Sequence, residues 1–454
     1  MLEPLYTAAE MRAAEERYPG YPDSVPELMD RAGRAVAEEA MRRFPDARRF
    51  EAVCGKGSNG GDGRIAVEVL RAAGREADVV DEPGDADVVV DALFGTGFRG
   101  EPRPEAARLI ERINEVPAPV VAVDSPSGAD ASTGEVVGSA VEAALTVTMH
   151  GWKVGLAVAP GRFHAGEVAV VDIGLEPADT EHRLVTDDIL SLVPRKEAVD
   201  NKYTAGSVLV VGGSRGMTGA ATLAARSAFR ADAGYVSVAA PEESLPALEM
   251  LVVEAVKRPL EEVFQAAERA RALAIGPGLG RSDDCKELVR RLLQETDVPA
   301  VVDADALWEL EPFERSAPTV LTPHSGELGR LLGEESSWVD AHRLEALARA
   351  VERFRCVVVL KGADTLVGAP GAGVLVRETN TPALATAGSG DVLTGVIAAF
   401  LAKGMDARLA AAAGSVAQGR AALLASKPRG LVAGDIVESL PQALEQPSST
   451  LKGV

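Results

Sequence analysis

Acids in or beside glycine-rich segments are the residues best placed to do chemistry in this chain. The most informative is Asp391, which closes Gly388-Ser389-Gly390-Asp391 and leads into the apolar helical run Val392–Leu401. Small residues at a helix start expose backbone N–H groups, an anion hole suited to developing phosphoryl charge. An Asp in that first turn can accept a proton from a hydroxyl under phosphoryl attack. The plain alternative is an acidic capping residue. Upstream, Gly276-Pro277-Gly278-Leu279-Gly280, Asp303-Ala304-Asp305-Ala306-Leu307, Leu321–Glu327 and Leu360–Thr365 each close an apolar run. Polar groups at the ends of successive parallel strands gather on one sheet edge, which places Lys361 to meet a nucleotide phosphate and His324 to face a substrate. A hydrogen-bonded loop histidine is the bland reading of His324.

Two other acids lie in the first half. Cys54–Gly63 carries consecutive glycines after one strand and before a helix expected from Arg64; it is neither GxGxxG nor a P-loop. Backbone N–H groups there suit a pyrophosphate, and a tight strand-to-helix turn is the alternative. Asp91–Gly100 and Val123–Gly128 again follow strands. Asn59, Asp91 and Ser127 are then placed to give oxygens to a hard cation, and Asp124 to handle a proton.

The elements that must hold these residues are short Val- and Ala-rich runs. They are Phe50–Cys54, Val88–Leu93, Val120–Val123, Leu145–Met149 and Val168–Ile173, then Val208–Val211, Tyr235–Ala239, Ala272–Ile275, Ala300–Val302, Val320–Thr322, Val357–Leu360 and Val374–Val376. Continuous rather than alternating apolar runs fit sheets buried on both faces. Helical patterns lie between many of them; His342–Phe354 sets Leu344, Leu347, Ala348, Val351 and Phe354 on one face. The alternation predicts an α/β chain with mostly parallel sheets. A polar, proline-bearing stretch at about 176–206, with a helix start at Thr186-Asp187-Asp188, puts a domain boundary near 185–195, dividing 1–188 from 189–454. The residues from Pro447 read as a frayed tail.

A chain of 454 residues suits two or three domains. Its 46% hydrophobic content fills their cores. Lys plus Arg is 47 against 68 for Asp plus Glu, a net charge of −21, which argues against nucleic-acid and anionic-membrane binding. Three scattered cysteines without a CxxC pair fit a reducing cytoplasm. The N-terminus lacks a secretory apolar core, and Val396–Ala402 is too short to span a bilayer. Five dispersed histidines give no zinc spacing.

The first half resembles the YjeF N-terminal family of NAD(P)H-hydrate epimerases. The resemblance rests on LMDRAG at 28–33, GSNGGDG at 57–63, DALFGTG at 91–97, DSPSG at 124–128, TVTMHGWKVGL at 146–156 and GEVAVVDIG at 166–174. It implies a Rossmann-like three-layer domain. Potassium ligands would be Asn59, Asp91 and Ser127. Contacts to the hydrated dinucleotide would be Ser58, Asn59, Gly60, Gly61 and Asp62, then Gly95, Thr96, Gly97, Phe98, Arg99, Gly100 and Glu101, and Asp124. Ser58 stands where the family usually has a second Asn, and Ser125 where Ile is usual. Only a short segment separates Asp78–Val80 from the Val88 strand, where the family usually has a helix-plus-strand insert.

From about Pro194 to Gly434 the chain resembles the ribokinase-like ADP/ATP-dependent NAD(P)H-hydrate dehydratases. The matching segments are NKYTAGSVLVVGGSRGMTGAA at 201–221, RADAGYVSVA at 230–239, GPGLG, DADAL, LTPHSGE, LKGADT and NTPALATAGSGDVLTGVIAAFLAKG at 380–404. Asn201 replaces a common His and Ser389 a frequent Thr. The resemblance implies hydrate contacts at Ala220, Gly278, His324 and Asp391. It implies adenine-nucleotide contacts at Lys361, Gly362, Ala363, Asp364, Thr365, Gly388, Ser389 and Gly390, with ADP as co-substrate and Mg2+ beside K+. Oligomers are common among relatives of both halves, so a homo-oligomer is expected.

Together the halves imply repair of hydrated NADH and NADPH (NADHX and NADPHX). Hydroxide is a poor leaving group; phosphorylating the 6-hydroxyl and expelling phosphate solves this. The dehydratase takes the S epimer, and the epimerase rescues the R epimer through Asp124. The rival readings are a ribokinase-like small-molecule kinase and a first half reduced to a degenerate dinucleotide-binding module.

Overall fold

A computed structural model describes residues 2–378, 381–425 and 429–445. The tail expected from Pro447 lies outside the described residues. The chain divides into two compact units, one built of Pro4–Arg183 and one mainly of Leu184–Val339 with the described residues from Arg343 onward.

In the first unit the six-stranded sheet runs Glu76–Val80, Arg49–Cys54, Val88–Ala92, Val120–Val123, Leu145–Met149, Glu167–Val171, parallel throughout. Val and Ala dominate because both faces are covered. Phe50, Ala52, Val88 and Val90 pack against Val36 of helix Val25–Arg43 and Val67 and Leu70 of helix Ser58–Ala72. Val53 and Val89 on the opposite face meet Ile110 and Ile113 of helix Pro104–Glu115.

The glycine stretch is not a loop ahead of Arg64 as expected; the helix already opens at Ser58. Close approach is the reason. A Cβ on Gly60 would lie 2.0 Å from the Gly55 carbonyl, and one on Gly63 2.5 Å from the Ala92 side chain. Glycine therefore lets the helix start against the strand ends. The short 81–87 connection is tied down by Glu51, whose Oε2 accepts from Gly84 N at 2.6 Å, and by Asp87, whose Oδ2 accepts from the amides of Arg48 and Arg49.

In the second unit the strand order is Val256–Pro259, Tyr235–Ala240, Ser207–Val211, Ala272–Ile275, Ala300–Val302, Thr319–Leu321, Val357–Leu360, Asp364–Gly368, Leu375–Glu378. The pairings are parallel up to Val357–Leu360, and the last two strands run antiparallel. Sequence patterning misses Val256–Pro259, which is half exposed at the edge and has little apolar signal. It also misses Asp364–Gly368, whose buried Asp hides a strand. Helix Arg343–Phe354 forms as expected, but its buried face is Arg343, Ala346, Leu347, Ala350 and Phe354; Ala348 is exposed. A buried arginine turned that face away from the purely apolar choice.

Helix Ser389–Ala402 is apolar all round and buried from Val392 to Ala402, as a helix in the centre of a layer must be. It crosses helix Thr218–Arg230 at Gly395, where a Cβ would lie 2.1 Å from the Ala224 carbonyl and from Ser227 Oγ. Gly395→Ala forces these helices apart. We expect a loss of about 1–3 kcal/mol, the usual cost of overpacking, read as a lower denaturation midpoint for this unit.

Candidate active sites

The second unit brings its polar strand ends together around the start of helix Ser389–Ala402. Gly388 caps it in the left-handed region, φ 87°, and Asp391 lies in its first turn. Beneath them Lys361 Nζ donates to Asp303 Oδ1 at 2.8 Å, while Thr394 Oγ1 donates to Asp303 Oδ2 at 2.7 Å. A Cβ on Gly390 would lie 3.3 Å from Lys361 Nζ, so this lysine reaches the helix start. Asp303 is 1% exposed. Burial pushes its carboxyl up, but Lys361 and two hydroxyl donors outweigh burial and hold it below the ordinary range. Burial likewise pushes Lys361 down, and Asp303 and Glu327 more than reverse that. For Asp391 the Lys361 charge pulls the carboxyl down but does not prevail. Burial first, then the nearby Asp303 charge, raises its carboxyl to about 7.

His324 caps helix Ser325–Leu332: its Nδ1 accepts from the amides of Gly326 at 3.0 Å and Glu327 at 3.3 Å, and Glu327 Oε2 accepts from His324 N. Its side chain remains 55% exposed. Ala220 and Gly278 are neighbours; a Cβ on Gly278 would lie 3.2 Å from that of Ala220. Within the expected nucleotide segment, Gly362 and Ala363 are exposed while Asp364 and Thr365 are buried. The Asp364 carboxylate is committed to Arg343. Gln418 Nε2 donates to the Ser389 carbonyl and steadies the helix start. The sequence reading assigned no role to Asp303 or Thr394. The DADAL segment marked the position of Asp303, but its partners come from distant strands and helices.

The first unit carries a cleft of about 730 Å³ at the strand ends. Of the expected contacts, Ser58, Asn59, Asp62, Gly95–Arg99 and Asp124 line it. Gly60 and Gly61 instead pack against Gly55 and Met29. Gly100 and Glu101 are exposed beyond Arg99. Asp124 adopts φ 64°, an uncommon conformation for a non-glycine residue. Its Oδ1 is 2.7 Å from Lys153 Nζ, and Lys153 is fully buried. That ammonium also donates to Thr148 Oγ1 and the Met149 carbonyl. Asp62 is pushed up to about 8 by burial first, then by Asp124 and Glu15. Glu15 is raised by burial and by Asp124. Lys153 and Glu15 escaped the sequence reading: Lys153 sat in a motif without an assigned role, and Glu15 lies in an ordinary amphipathic helix.

Behind the cleft wall Asp91 is fully buried. Its Oδ1 accepts from Ser127 Oγ at 2.7 Å and its Oδ2 from Ser127 N at 2.9 Å. Burial outweighs these bonds and raises it to about 6. Ser127 Oγ accepts from Phe94 N, and Asn59 Nδ2 donates to the Phe94 carbonyl. Asn59 and Ser127 therefore share the Phe94 backbone, and Asp91 joins them through Ser127. One carboxylate among neutral oxygens suits a hard cation of low charge. No cluster of three His, Cys, Asp or Glu able to hold a metal occurs among the described residues.

Two glycine-walled sites at the carboxyl edges of parallel sheets, each with a carboxylate raised by burial, define an α/β enzyme with two centres. The family model described as NAD(P)H-hydrate dehydratase matches residues 208–442, and that of the YjeF-related protein N-terminus matches 25–85 and 76–155. The bifunctional NAD(P)H-hydrate repair enzyme Nnr of Moorella thermoacetica is 38% identical over 97% of this chain and 96% of its own length. That of Escherichia coli is 33% identical over 94% and 90%. Among solved structures, the ADP/ATP-dependent NAD(P)H-hydrate dehydratase of Bacillus subtilis, co-crystallized with ATP/Mg2+, matches with a TM-score of 0.53 and 30% identity, covering 57% of this chain and 96% of that one. The chain belongs to the family of bifunctional NAD(P)H-hydrate repair enzymes.

The raised Asp391 carboxyl has a stability consequence. A carboxyl whose folded pKa exceeds its unfolded value disfavours folding increasingly as pH rises from the ordinary carboxylate range to about 7, and the penalty persists above that. Asp391→Asn removes the charge. The variant is expected to melt higher than the parent at pH 8 and with it at pH 4; a lower Tm at pH 8 contradicts the assignment.

Proposed function

We propose that this protein repairs hydrated NADH and NADPH, with residues 1–188 interconverting the R and S epimers and residues 189–454 dehydrating the S epimer at the expense of ADP, releasing AMP and phosphate. The observation that carries the reading is Asp391, raised to about 7 at a glycine-capped helix start above the Lys361–Asp303 pair. A base with that pKa is half-ionised at neutral pH, where proton transfer is most effective.

In this reading Asp391 takes the proton of the 6-hydroxyl as its oxygen attacks the terminal phosphoryl group of ADP, and AMP leaves. The amides at Gly388–Gly390 and the Lys361 ammonium hold the transferring group. The ring-nitrogen lone pair then expels phosphate, C5 loses its proton, and the dihydronicotinamide is restored. Magnesium would neutralise the nucleotide phosphates. In the first unit Asp124, fixed by Lys153, moves the proton for epimer exchange; Asn59, Asp91 and Ser127 would hold a potassium ion, which would order the pocket wall. A cytoplasmic location fits the free cysteines Cys54, Cys285 and Cys356, and no helix among the described residues is long and apolar enough to cross a membrane.

Supplying ADP and S-NADHX is expected to restore absorbance at the reduced-nicotinamide band, with the rate rising through about pH 7 as Asp391 ionises. A stable phosphoester accumulating instead would identify a kinase. Asp391→Asn should slow recovery by roughly 10²–10⁴-fold, the usual share of a general base; turnover within a few-fold of the parent refutes its role. Asp124→Asn should leave S-epimer dehydration intact and stop consumption of the R epimer beyond its spontaneous exchange. Equal rates on both epimers in that variant would remove Asp124 from the reaction.

A further inference from the structure

The turn expected to meet the nucleotide is held from behind by a charge pair that the reaction does not use. Arg343, the first residue of helix Arg343–Phe354, is 3% exposed, and Asp364, the first residue of the strand after the turn, is 1% exposed. Arg343 Nε donates to Asp364 Oδ1 at 2.7 Å, and Nη2 lies 2.5 Å from the same oxygen. Nη2 also donates to the backbone carbonyls of Leu360 at 3.4 Å and Asp364 at 3.2 Å. One guanidinium therefore grips the residue before Lys361 and the residue after Ala363. Gly362 rests on that guanidinium: a Cβ there would lie 2.8 Å from Nη1. The same turn starts at Lys361, whose amide donates to the Pro323 carbonyl at 2.9 Å and whose ammonium holds Asp303.

We propose that Arg343 and Asp364 are positioning residues for the adenine-nucleotide site: their buried pair fixes the Lys361–Ala363 turn, and with it the backbone groups offered to the nucleotide, while neither charged side chain touches the ligand. The proposal rests on reading Lys361–Thr365 as the nucleotide-contact segment, and it moves Asp364 from ligand contact to anchor. Stability alone is a poor reason for the pair. Apolar residues of similar volume usually replace a buried ion pair without loss, and often with gain. The planar fork of Arg supplies what they lack, since it can bind one carboxylate and two carbonyls in fixed directions.

The test uses the full-length protein, varying ADP at saturating S-NADHX and recording Tm alongside. The double variant Arg343→Met with Asp364→Leu is expected to keep Tm within a few degrees, to raise KM for ADP about tenfold or more and to lower kcat no more than about threefold, since a displaced contact is lost from binding before chemistry. Arg343→Lys keeps the charge but not the fork, and is expected to raise KM for ADP in the same direction by a smaller factor. An unchanged KM for ADP in a folded double variant overturns the proposal. If the double variant does not fold, Arg343→Lys decides, and parental KM in that folded protein overturns it equally. Lys361→Ala separates the premise: if it changes neither KM for ADP nor kcat, the nucleotide reading of the turn fails, whatever the Arg343 variants do.

Discussion

The contact between Lys361 and Asp303 is the constraint on which the dehydratase site depends. A lysine carried at the end of one strand and an aspartate at the end of another meet at 2.8 Å, with Thr394 of the apolar helix completing the carboxylate's bonds. Either charge alone would be expensive so far from water. Together they form a nearly neutral floor under a helix start whose amides point at the same space. Asp391 then finds itself beside a carboxylate whose charge is already matched to a lysine. Its own ionisation is unfavourable, the condition that a base working at neutral pH requires.

The first unit solves a related problem with one more acid. Lys153 is spent on Asp124, Thr148 and the Met149 carbonyl, and Asp62 and Glu15 share the same cleft with Asp124. Burial first and then the Asp124 charge raise both, and Glu15 adds to the rise of Asp62. One carboxylate held by an ammonium and another kept largely protonated is an arrangement in which a proton can be taken at one oxygen and returned from another.

The sequence carried the α/β class and the parallel order, because strands buried on both faces must be continuously apolar and their ends must break at glycine or aspartate. It also carried the positions of Asp391, Asp124 and the glycine turns, whose chemistry is local. It did not carry what long-range geometry decides. Asp303 and Lys361 are 58 residues apart, and nothing in either neighbourhood marks the other. The opening of the helix at Ser58 depends on how near Gly55 and Ala92 come. His324 was legible as a polar residue at a strand end, but its capping bonds follow from the helix that begins beside it. Arg343 was hidden for a simpler reason: periodicity arguments assign arginine to the wet side of a helix, and here it is one of the most buried residues of its element.

Gly57, Gly95 and Gly97 line the first cleft, and there the backbone itself forms part of the wall. Amides cannot be exchanged for other functional groups by changing codons. Any redesign of this cleft toward a different ligand has to act through the side chains that line it, Met11, Leu28 and Met29 among them. Two of those are thioethers, flexible enough to reshape around a new ring. The glycines are thereby the fixed part of the wall, and the apolar side chains are the part open to innovation.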